Sequence, residues 1–149
     1  MRLLKLVLGW CLVILLTGCI GESYDFSPPT VSLVDPNYIG EETELAEANV
    51  EWYNDKKFNK RTDDIYSFVQ KQEPIIFNSG QQVDFLIENG FFDPEGINIS
   101  MMKNQHKIEV EVQDSQTFYL PKEKGEYLIE VNLESDKGDA QYVGKIVIQ

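Results

Sequence analysis

His106 is the only histidine in a chain of 149 residues, so any Ser-His-Asp or Cys-His catalytic set has to use it. No Gly-x-Ser-x-Gly elbow supplies a partner serine. One histidine and two cysteines, Cys11 and Cys19, fall short of the ligand sets that hold zinc. Thioether and imidazole groups suit copper, which makes Met101, Met102 and His106 the candidate metal-handling set. Their positions favour a plainer reading, in which Met101 continues the inward row of Ile97 and Ile99 and His106 sits in a turn between Lys103 and Lys107. Asp93, Glu95 and Asn98 surround Gly96, and Asp136 and Asp139 flank Gly138, yet neither group has the Asp-x-Asp-x-Asp-Gly spacing of a calcium loop. A paired-acid glycosidase needs a cleft with carboxyl groups at a set separation, for which a domain of this size has little room. The chain therefore reads as a protein that is not an enzyme and uses no cofactor.

Binding is the remaining class. Trp52, Tyr53, Phe58, Phe91 and Phe92 are the aromatic candidates. Trp52 alternates with Ala48 and Val50 and is expected in the core. Phe91 and Phe92 follow the turn formers Asn89 and Gly90: on a strand they would point opposite ways and expose one ring, and on a loop tip they would stand at the surface, so the pair is the candidate partner contact. Lys56, Lys57, Lys60 and Arg61 form the one basic cluster, expected in a solvated loop. With 13 Lys+Arg against 25 Asp+Glu the net charge is −12. That excludes nucleic acid as a main partner, because duplex binding rests on neutralising phosphates.

The N-terminus carries the most specific pattern. Arg2 and Lys5 precede an uncharged apolar run from 6 to 16, LVLGWCLVILL, which at eleven residues is too short for the roughly 20 that span a bilayer core and the right length for an export signal. It ends in Leu16, Thr17, Gly18 and Cys19: an aliphatic residue, two small residues that let a membrane protease reach the backbone, and a thiol nucleophile that can be alkylated. This resembles the lipobox of bacterial lipoproteins. The resemblance implies cleavage after Gly18 and a diacylglyceryl group on Cys19, which places the protein at the outer face of the cell membrane. Cys11 is then discarded, no disulfide can form, and loss of Arg2 and Lys5 leaves a net charge of −14.

The rest of the chain must be a scaffold. Residues 19–29 are expected to be a lipidated tether, stiffened at its far end by Pro28 and Pro29, and residues 30–149 one domain. Period-two alternation predicts strands at Val83–Glu88, Ile97–Met101, Ile108–Val112, Tyr127–Leu133 and Tyr142–Ile148, the third being the clearest half-buried pattern. Turns are expected at Asn78–Gly80, Asn89–Gly90, Pro94–Gly96, Lys122–Gly125 and Asp136–Asp139. Upstream, Thr30–Val34 and Ala48–Tyr53 read as strands, although Glu41–Glu51 also suits a helix. Thr62, Asp63 and Asp64 read as a capped start to a short helix over 63–71, followed by a strand at Ile75–Phe77.

Strands at this spacing, without the long helices that parallel crossovers need, predict a mainly β antiparallel sandwich with one short helix. The segment FYLPKEKGEYLIEVNLESDKGDAQYVGKIVI, Phe118 to Ile148, resembles the closing strands of immunoglobulin-like domains in small lipoproteins of Gram-positive bacteria. That likeness implies an immunoglobulin-like fold and no catalytic residues. Together these readings describe a membrane-tethered module that meets an unidentified protein or cell-envelope partner, with copper handling through Met101, Met102 and His106 as the alternative.

Overall fold

The computed structural model describes residues 27–38, 42–114 and 116–149. Among them, strands and one helix run in the order β1 (Thr30–Val34), β2 (Glu42–Glu44), β3 (Ala46–Asn54), β4 (Lys56–Lys60), α1 (Ile65–Gln70), β5 (Ile75–Phe77), β6 (Gln82–Glu88), β7 (Pro94–Lys103), β8 (His106–Val110), β9 (Thr117–Tyr119), β10 (Gly125–Ser135) and β11 (Gly138–Ile148). They form two packed sheets. The smaller has the order β2-β1-β6-β9; in the larger, β4-β3-β11-β10-β7-β8 lie side by side and β5 joins β11.

Alternation explains the core. Ile129, Val131 and Leu133 of β10, Ile99 and Met101 of β7, Tyr142 and Ile146 of β11 and Trp52 of β3 all bury against Val31, Leu33, Val83, Phe85 and Phe118 of the smaller sheet. Each such side chain contributes about 1.5–3 kcal/mol on burial, so this layer is the main stabilising element.

The opposite face of the larger sheet is capped at one end by α1. Val69 packs on Ala48, Leu128 and Val143, with Ile65, Phe68 and Met102 around them. The predicted helix forms, but its cap is Asp64, whose backbone is extended and whose carboxylate accepts the Ser67 N–H at 2.9 Å. Thr62 is used elsewhere, donating its hydroxyl to the Ala48 carbonyl at 2.7 Å.

Ala48 lies under the helix while Val50 and Trp52 face the inter-sheet core, although all three alternate in sequence. A register shift between β11 and β3 at Ala140/Tyr142 accounts for this. The extra residue of a bulge switches which face the strand's side chains occupy.

Several expectations are corrected. The sheet is mostly antiparallel rather than wholly so, because β5 runs parallel to β11 with Ile75 opposite Ile146. β3 pairs with β11 only as far as Val143, which leaves the last edge of β11 open for β5 after the α1 crossover. Pro94–Gly96 is the start of β7, not a turn. The alternating β8 is an edge strand whose Ile108 is 42% exposed, because the four-stranded sheet is too narrow to cover it. Glu42–Glu44 and Ala46–Asn54 are strands rather than a helix. Pro28 and Pro29, assigned to the tether by sequence, are buried.

Candidate functional site

Leu16, Thr17, Gly18 and Cys19, and with them the lipidation reading, lie outside the described residues. Among the described residues, no helix is long and apolar enough to cross a membrane.

The structure separates the soft-metal candidates. Met101 is fully buried between the sheets, whereas Met102, its neighbour on the strand, points to the opposite face and packs beside Val69 and Leu128. His106 is exposed at the start of β8, opposite Lys103 across the left-handed turn Asn104–Gln105. The pleat that sends successive side chains to opposite faces keeps the three from converging. Among the described residues no group of three or more His, Cys, Asp or Glu is placed to hold a metal ion.

The two acidic turns that sequence treats separately meet in space. The Asp93 N–H donates to the Asp136 carboxylate at 2.8 Å and the Asp136 N–H donates back to the Asp93 carbonyl at 3.2 Å. The Asp93 N–H, and after it the Lys137 ammonium at 3.0 Å, hold the Asp136 carboxyl below its ordinary range. These acids brace the loops between β6 and β7 and between β10 and β11.

That brace presents the aromatic pair. Asn89 and Gly90 take φ of 63° and 87°, turning the chain sharply after β6. Phe92 then packs edge-on against buried Trp52, ring centres 5.5 Å apart at 75°, while Phe91 is 78% exposed. Of the two candidate contact residues, Phe92 is an anchor and Phe91 is available. Tyr53 and Phe58, on the neighbouring hairpin of β3 and β4, are also exposed.

The basic cluster forms edge strand β4 and the residue after it. Lys57 pairs with Glu51 at 3.1 Å and Lys60 with Glu47 at 3.8 Å; exposed pairs of this kind contribute little to stability. Lysines on a sheet edge discourage pairing with other chains.

Sequence reasoning did not anticipate a polar groove of about 990 Å³ on the outer face of the larger sheet. Its floor comprises Asn49, Glu51, Asn132, Glu134 and Gln141, and Arg61 stands on one wall. Asn49 orders the floor by donating to the Gln141 side chain at 2.6 Å and accepting the Thr62 N–H at 2.8 Å. The outward polar halves of β3, β10 and β11 were visible as alternation. That they form one trough depends on the bulge and on the segment Arg61–Asp63, which alternation does not show.

No family model matches the chain, and no curated protein shows significant similarity to it.

Proposed function

We propose that this protein is a lipid-anchored lipoprotein of the extracytoplasmic membrane face, and that it works by binding a protein or cell-envelope partner rather than by catalysis. The observation that carries this reading is the run Leu16-Thr17-Gly18-Cys19, closing a short apolar segment and standing eight positions ahead of the first described residue, Ser27. A thiol set behind small residues at that place is suited to alkylation, and a double acyl chain gives stable anchoring where a single one does not. Holding the domain at a surface raises the local concentration of weak contacts without new ones. The polar groove, with its ordered amides and the Arg61 wall, is the surface we assign to the partner.

We also take the sandwich to be immunoglobulin-like. In support, the Tyr127 hydroxyl donates to the Glu123 carbonyl four residues upstream at 2.9 Å, an arrangement that resembles the tyrosine corner of such domains.

Cells producing the wild type and Cys19→Ala test the reading by fractionation. The wild type is expected in the membrane fraction at the length of a cleaved chain, and the variant is expected in the medium or left uncleaved. A variant cleaved and retained like the wild type overturns it.

A further inference from the structure

Three turns and the incoming chain are tied together at one end of the sandwich. Thr30 pairs with Glu88, and Gly90 is so close to the incoming chain that a Cβ on it would lie 3.7 Å from the Pro29 nitrogen. The loop after β6 is bonded to the turn between β10 and β11 through Asp93 and Asp136. That turn is bonded in its turn to the hairpin of β3 and β4, the Tyr53 N–H donating to the Lys137 carbonyl at 2.8 Å. Phe91 projects from this braced end, fixed by the packing of Phe92 on Trp52.

We infer that this end is the face the domain sets against the lipid bilayer, with Phe91 seated in the headgroup region. The inference rests on the proposed anchor at Cys19. From that residue to Ser27 the chain spans eight positions, a reach of at most about 29 Å, so the end where the chain comes in is the one held close to the lipid. Exposed Phe, Trp and Leu side chains of surface-bound segments bury their apolar bodies at the boundary of headgroups and acyl chains. Phe91 is the most exposed of the large hydrophobic side chains described. The domain stands on this end, and the groove opens sideways above the membrane.

Site-specific quenching tests the geometry. Phe91→Trp is compared with Tyr119→Trp, an exposed position on β9 at the opposite end, in full-length protein extracted from membranes and reconstituted into phosphatidylcholine–phosphatidylglycerol vesicles containing brominated acyl chains. Wild-type emission, with its buried Trp52, is the baseline. Quenching at position 91 is expected to exceed that at 119 by about twofold or more, with a blue shift. Equal quenching at the two positions, or none at 91 in vesicle-bound protein, overturns the inference and leaves Phe91 as a contact for a protein. Failure of the anchor shows itself separately, as purified protein that lacks lipid and does not float with vesicles. The same two variants of residues 19–149, coupled through Cys19 to a maleimide lipid, then decide the docking geometry by the same comparison.

Discussion

The phenol of Tyr142 donates a hydrogen bond to the carbonyl of Pro29, closing a contact across 113 positions of sequence. Tyr142 is fully buried in β11, the strand that the larger sheet builds around, and Pro29 is the residue just before β1. One bond thus ties the start of the described chain to its last strand and orients the end of the domain from which Phe91 projects.

Tyr142→Phe leaves the buried Pro29 carbonyl without its donor. The variant is expected to lose about 1–2 kcal/mol in urea unfolding, with the fold retained.

The same residue sets an alkaline limit. Burial, and after it the nearby carboxylates of Glu47 and Glu44, raise the Tyr142 phenol above its ordinary 10.0. Its neutral form is therefore favoured by folding, so its contribution is complete below pH 10 and declines as pH rises beyond the unfolded value. Stability of the wild type is expected to fall above pH 10, more steeply than that of Tyr142→Phe measured across the same range.

Acid acts through Asp136. Its carboxyl is held low in the folded state by the Asp93 N–H and by Lys137, so the stability it contributes is present above its ordinary 3.8 and is lost as pH falls below it. Asp136→Asn is expected to lower the unfolding midpoint at neutral pH and to flatten its decline between pH 5 and about 2; a parallel decline in the two proteins counts against this.

Gly138 begins β11 at φ 128°, and a Cβ there would lie 2.0 Å from the Glu51 carbonyl oxygen. Backbone in this region favours glycine, and the close approach leaves no room for a methyl group. Gly138→Ala is expected to cost more than about 2 kcal/mol, read as a drop in thermal midpoint.

Removing residues from Tyr142 onward takes away buried Tyr142, Val143, Ile146 and Ile148 together. It also strips β5 of its partner and leaves β10 from Gly125 to Val131 without β11, paired only with β7 from Leu128 on. The product is expected to be unfolded by circular dichroism and amide exchange.

How much of this was legible depends on the range of the forces involved. Rows such as Tyr127, Ile129, Val131 and Leu133 announce themselves because burial on one face acts at a spacing of two residues, and the strand at Ile75–Phe77 was found at its observed bounds. The parallel pairing of that strand was hidden, since it depends on where β3 stops along β11. Ile108 alternates as well as any core residue and is still exposed, because the width of the facing sheet is not written near it. Phe91 and Phe92 lie on the loop between β6 and β7, where the turn formers Asn89 and Gly90 placed them, and which of the two is exposed required the position of Trp52. The groove lay further out of reach, as its residues come from β3, β10, β11 and the segment leading to α1.

Intact mass measurement of protein extracted from its native membrane bears most directly on the anchor. The account expects a chain that starts at Cys19 and carries a diacylglyceryl adduct on that sulfur. A chain that retains Met1, or one with a free thiol at Cys19, contradicts it.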